Sequence, residues 1–176
     1  MSNDMKKYIF TALTLGLIAA SGALLIAGTN MLTRDRIAEN EITLINNGMK
    51  KIYGEQAQTS EAQDVANYQY VTKAYQIVDD NNAPLGYAFR TDGSNNYGKI
   101  SLIIGFNQEH VYKGLSVIAN EQSFANDLKK GYLDYIQDGS QTIDDVSVSC
   151  GATYGAKLVR AMVLEAEKAE KEYSAK

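Results

Sequence analysis

The sequence predicts an α+β protein: a single N-terminal transmembrane helix, a helical stalk, then a mixed domain in which helices flank an antiparallel strand meander. Three observations carry that prediction. No residue from Tyr8 to Thr33 is charged. Four strand-like segments between residues 70 and 119, the first of them alternating and β-branched, are separated by clusters of turn residues. The stretch Ala156–Tyr173 places apolar residues at helical spacing.

Residues 1–33 read as an N-terminal tail and transmembrane anchor. The run Tyr8–Gly28 is by itself long enough to span a bilayer. A cleavable signal peptide is the rival reading, because Ala19-Ala20-Ser21-Gly22-Ala23 offers small residues near a cleavage point. The apolar stretch continues through Leu24-Leu25-Ile26-Ala27, which favours a retained anchor. Gly16 pairs with Ala20, and Ala19, Ala23 and Ala27 recur at four-residue steps. That spacing permits close helix packing in lipid and points to membrane subunits as partners. Lys6 and Lys7 favour a cytoplasmic N-terminus, whereas Arg34 and Arg36 lie just past the other end.

Residues 34–68 read as stalk and linker. Ile37, Glu41, Leu44 and Ile45 fall at helical spacing, and Met49 and Ile52 extend that face. The polar stretch 54–68 reads as a linker or an exposed helix.

The domain is expected over 69–176. Tyr70–Val78 alternates and leads through Asp79–Pro84 into Leu85–Thr91, its hairpin partner. Asp92–Asn96 forms a second turn cluster. Lys99–Phe106 is the most apolar strand and reads as central, followed by Val111–Ala119. His110 sits in the intervening turn and reads as a solvated surface residue. Over 121–137, Phe124, Leu128, Tyr132 and Tyr135 lie near one helical face and read as core. In the last helix Leu158, Val159, Met162, Val163 and Ala166 form the core face. Beyond Glu165 that helix reads as solvated, with Glu167 and Lys171 ordered for an i,i+4 pair.

Between these helices lies Ser147-Val-Ser-Cys-Gly-Ala-Thr-Tyr-Gly-Ala-Lys157. Gly151 and Ala152 let backbone approach a ligand, and Thr153 stands where a helix begins. Free N–H groups and the macrodipole there favour a phosphate. The plainer reading is that Ser149 or Thr153 caps the helix. Composition narrows the alternatives. A net charge of −4 and a pI near 5.0 argue against nucleic acid as a partner. One Cys and one His cannot build an iron–sulfur or structural zinc site within the chain, so no metal is expected.

The core Gly151-Ala152-Thr153 resembles the [Ser/Thr]-Gly-Ala-[Ser/Thr] motif of the FMN-binding domain family. That family includes the G subunit of Rnf electron-transport complexes and the C subunit of Na⁺-translocating NADH:quinone reductase. Arg36-Ile37-Ala38-Glu39-Asn40, directly after the anchor, is similar to the juxtamembrane segment of the G subunits. Gly86-Tyr87-Ala88-Phe89, and Tyr97-Gly98-Lys99-Ile100 through Ile118, look like that domain's central strands. The resemblance implies FMN attached by a phosphoester to Thr153, with Gly151 admitting the phosphate and Ala152 keeping the turn small. It implies an electron-carrying subunit of a redox-driven ion-translocating complex, with no turnover by the chain alone. It also implies a cell-membrane location, with the N-terminus cytoplasmic and the soluble domain extracytoplasmic.

The motif is degenerate. Cys150 and Gly155 stand where the family has Ser or Thr, and Ser147 where it has Asp. The family's His-x-Glu-Thr-Pro-Gly-Leu-Gly segment is reduced to Asn120-Glu121-Gln122-Ser123, in which Glu121 matches. Cys150, Gly151, Ala152, Thr153 and Glu121 are therefore the candidate FMN-binding residues. The alternative is an accessory subunit of the same kind of complex that keeps the fold without the flavin.

Overall fold

The computed structural model describes residues 3–59 and 62–174. Its first element is a continuous helix, α1 (Asn3–Tyr53). The stretch Met5–Met31 within it is 27 residues long with mean hydropathy 2.2, enough by length and composition to cross a membrane. None of that stretch is buried, and Phe10, Leu17, Leu24, Leu25 and Met31 are all open. Thr14, Ser21 and Thr29 turn their hydroxyls back onto carbonyls one helical turn earlier, so they leave no free polar group on the helix surface. By internal contacts the chain divides into two units, Met1–Ile42 and Thr43–Lys176. The side chain of Ile37, expected on the stalk's apolar face, lies outside the described residues.

The second unit is built on a six-stranded antiparallel sheet. Its strands are β1 (Gln58–Thr59), β2 (Gln63–Asp64), β3 (Val71–Val78), β4 (Pro84–Asn95), β5 (Gly98–Phe106) and β6 (Tyr112–Asn120). The order is β1-β3-β4-β5-β6, with β2 also paired to β3. The expected meander is present, and β5 is interior. One expectation is corrected: residues 54–68 are neither a free linker nor a helix. Within them β1 and β2 each pair along β3, Gln58 opposite Val78 and Gln63 opposite Ala74. Ser60 and Glu61, from the same stretch, lie outside the described residues.

Period-two alternation sends the strand residues to two opposite layers. On one face Phe89, Ile100, Leu102, Ile104 and Phe106 pack with helix α4 (Thr153–Tyr173) and the segment 125–136. On the other, Tyr75, Ile77, Ala88 and Ile103 pack with Ile45, Met49 and Tyr53 from the end of α1. Burying both faces explains why β5 reads as an almost unbroken apolar run. Tyr53 fixes its layer by polar contact as well. Its hydroxyl donates to the Tyr87 carbonyl at 2.6 Å and accepts from the Phe106 amide at 3.0 Å. Gly105 leaves the space, since a Cβ there would lie 2.8 Å from the Tyr53 hydroxyl.

The α4 core face forms as the spacing predicts, with Leu158, Val159, Met162, Val163 and Ala166 all buried. Its far end is not fully solvated, which corrects the second expectation. Ala169 and Glu170 are 1% exposed. The Glu170 carboxylate meets His110 Nδ1 at 2.5 Å, so His110 is a half-exposed partner of a buried acid rather than a plain surface residue.

The segment 121–137 is corrected too. It runs as α2 (Ala125–Leu128), a π-helical turn (Lys129–Leu133) and α3 (Asp134–Ile136). The wider turn shifts the inward register, so Leu128, Tyr132, Leu133 and Ile136 are buried. Phe124 and Tyr135, expected in the core, are each 49% exposed.

Candidate functional site

Thr153 is the first residue of α4, and Ala152 occupies the capping position. No side chain caps this helix end. Neither Ser149 nor Thr153 acts as the expected cap, and the Thr153 hydroxyl makes no hydrogen bond among the described residues. The first intrahelical bond runs from the Ala156 amide to the Ala152 carbonyl at 3.0 Å. The amides of Thr153, Tyr154 and Gly155 precede it and are the unpaired donors that every helix start presents.

The turn ahead of the helix follows from Gly151. Its φ is +76°, a conformation that costs an L-residue with a side chain. Sterics add little, because a Cβ at Gly151 would meet only Asp127, at 3.8 Å. Gly155 is constrained differently. A Cβ there would lie 3.0 Å from Leu128 Cδ2 and 3.4 Å from Gln122 Oε1. The first turn of α4 is thus pressed onto α2, which gives a steric reason for glycine where the resembling family has a hydroxyl residue.

An open groove of about 200 Å³ lies over this helix start. Gly151, Ala152, Thr153, Tyr154 and Gly155 line it on one side, and Tyr97, Gln122 and Phe124 on the other. Tyr97 stands at the tip of the β4–β5 hairpin, where Asn95 pairs with Gly98 and leaves a two-residue connection. The tip is held from both directions. The Tyr97 amide donates to Asn95 Oδ1 at 2.8 Å, and Ser123 donates its amide to the Tyr97 carbonyl at 2.8 Å. Asn95 Nδ2 donates to the Tyr154 carbonyl at 3.3 Å, tying the tip to α4. Gln122 is 6% exposed, and its Nε2 donates to the Gly98 carbonyl at 2.5 Å.

The five expected site residues separate here. Gly151, Ala152 and Thr153 line the groove together. Cys150 does not. It is half-buried against the π-helical turn, where a Cβ on Gly131 would come within 2.8 Å of its own Cβ. Glu121 is exposed and outside the groove, its amide bonded to the Lys99 carbonyl at 2.8 Å. The neighbouring Gln122 lines the groove instead. The upstream acids are occupied elsewhere. Asp144 pairs with Arg160, and Asp145 accepts from the amide and hydroxyl of Thr142, each at 2.8 Å. Those Thr142 bonds, backbone first, hold the Asp145 carboxyl below the usual range. Ser147 Oγ accepts from the Ser149 amide at 3.2 Å.

Sequence reasoning misses Tyr97 and reads Phe124 as core; Tyr154 it offers as a residue able to stack on a flavin, with little to set it apart among twelve tyrosines. Tyr97 and Tyr154 stack at 5.4 Å with 27° between planes, and Phe124 lies 5.9 Å from Tyr97. Tyr132, on the π-helical turn, is fully buried, and its hydroxyl has no hydrogen-bond partner among the described residues. Burial raises that phenol's pKa, against an opposing effect from Arg160.

These features define a class: an apolar N-terminal helix joined to a sheet domain whose groove surrounds a free hydroxyl at a helix start. Residues 1–43 match a family described as the RnfG N-terminal region. This match supports a subunit of an Rnf-type complex; it ends before the sheet and leaves the groove uncovered. No curated relative matches the chain.

Proposed function

We propose that the chain is a membrane-anchored electron-transfer subunit of an Rnf-type redox-driven ion-translocating complex, carrying FMN covalently through a phosphoester on Thr153. The observation that carries the flavin reading is the free Thr153 hydroxyl at an uncapped helix start inside a groove. A residue spent as a cap would not be available for attachment. The residues present fit the group: the unpaired amides of Thr153, Tyr154 and Gly155 suit a phosphate, and the α4 macrodipole adds to them. The positive φ of Gly151 turns the backbone so that the helix start stays open.

Bound there, FMN would supply the one-electron chemistry of the reading. The chain's own part is to hold the phosphate, keep the ring beside the domain and anchor both to the bilayer through Met5–Met31. The match over residues 1–43 supports association with other subunits of such a complex. The domain would lie on the extracytoplasmic side, with the N-terminus cytoplasmic.

A second reading is favoured by Cys150, Gly155 and Ser147, which replace the family's usual residues around the motif. It is a non-flavinylated accessory subunit of the same kind of complex. In-gel fluorescence separates the two. The full chain, produced with its own flavin-transferring enzyme and denatured, is expected to fluoresce at its own size, and Thr153→Val to be dark. A dark wild-type band would leave the accessory role standing.

A further inference from the structure

We propose that Tyr97, Phe124 and Tyr154, with Gln122 beneath them, form a seat for a planar heteroaromatic ring. This rests on the reading of Thr153 as the FMN attachment residue, and it names the groups that would hold the flavin's ring system.

Three observations carry it. First, the rings are exposed although they are large and apolar: Tyr97 is 38% exposed, Phe124 49% and Tyr154 64%. They come from a hairpin tip, the segment ahead of α2 and the first turn of α4, and they form one cluster at the groove's edge. Aromatic side chains gathered at a concave surface mark a binding site rather than scattered surface residues.

Second, the cluster is held in place by hydrogen bonds to its own backbone. The Tyr97 carbonyl accepts from both the amide and the hydroxyl of Ser123, and the Tyr154 carbonyl accepts from Asn95. Rings fixed in this way lose little freedom when a further ring stacks on them. Third, Gln122 is nearly fully buried and uses its Nε2 on Gly98, while its Oε1 accepts no hydrogen bond among the described residues. That oxygen lies beside Gly155 at the groove and suits a ring N–H donor. A flavin ring carries both a broad stacking face and such an N–H.

The test reads photophysics, not turnover. Tyrosine stacked on a flavin quenches its fluorescence, so the native full chain in detergent should be several-fold dimmer per flavin than the same sample denatured. Tyr97→Leu and Tyr154→Leu should each restore much of the native emission while the denatured-gel signal per chain stays constant. Tyr97→Phe should keep the ring in place and relieve only part of the quenching. An unchanged native-to-denatured ratio in both leucine variants, at full flavin load, overturns the proposal.

If the wild-type chain carries no covalent flavin, riboflavin is titrated into it instead. Quenching that weakens about fivefold to tenfold in affinity in the leucine variants supports the seat without the tether. No quenching overturns it. Failure of attachment and failure of the seat therefore give different results.

Discussion

Gly151 shows how one backbone angle controls the site. Its φ of +76° turns the chain into α4, and almost nothing surrounds the position of its missing Cβ. Gly151→Ala should therefore cost about 1–2 kcal/mol from conformation alone. Gly151→Asn should cost less, because asparagine tolerates the left-handed region. Urea unfolding of the full chain in detergent checks both, and equal costs would point to sterics instead. Gly155 is the opposite case: its Cβ would run into Leu128 and Gln122, so Gly155→Thr should crowd the first turn of α4 whatever its φ. The sequence made the glycines of this turn visible, but not which of them is conformational and which is steric. The aromatic seat was not visible either. Tyr97, Phe124 and Tyr154 are far apart in the chain, and among twelve tyrosines only Tyr154, beside the motif, suggests a stacking role.

Among the elements, the end of α1 is tied to the sheet by a buried hydroxyl. Tyr53 gives its hydroxyl to Tyr87 and receives the Phe106 amide, with Gly105 beneath it. Tyr53→Phe should cost about 1–3 kcal/mol, the penalty for leaving buried backbone groups without a partner. A loss well below that range would show that water replaces the hydroxyl. The elements that were legible are those whose period is long and unbroken. The four main strands run for eight or more residues between turn clusters, and the α4 face keeps its three- and four-residue steps from Leu158 through Ala166 to Ala169 and Glu170, where a charged residue hides its burial. Three elements were not legible, for two distinct reasons. β1 and β2 have two residues each and exist only because β3 offers an edge to pair with. The π-helical turn changes the period inside 121–137, so a stripe read at helical spacing puts Phe124 and Tyr135 inside when they are out.

At the scale of the molecule, two helical layers on one sheet bury phenols deeply, and that sets the behaviour at high pH. Burial pushes the Tyr53 and Tyr112 hydroxyls far above 10.0, the value they take in the unfolded chain. In the folded state these groups keep their protons longer than in the unfolded state. Stability is thus fully present below pH 10 and falls as pH rises above it. Each such group contributes a slope of up to about 1.4 kcal/mol per pH unit. Alkaline unfolding midpoints should move upward in Tyr112→Phe relative to its own neutral-pH stability, and a parallel loss at all pH values would contradict this.

The groove is assembled from three stretches of chain: Tyr97, then Gln122 and Phe124, then Gly151–Gly155. Unfolding scatters its walls, so a ring seated there binds the native state alone. Occupancy and global stability become thermodynamically linked, and a ligand at a hundred times its dissociation constant adds about 2.7 kcal/mol. A tether at Thr153 would keep the ring at high local concentration however dilute the protein. On the proposed reading, flavin-loaded chains should melt higher than Thr153→Val chains, and by an amount independent of protein concentration. The cofactor would then act as a structural clamp on the domain that carries it.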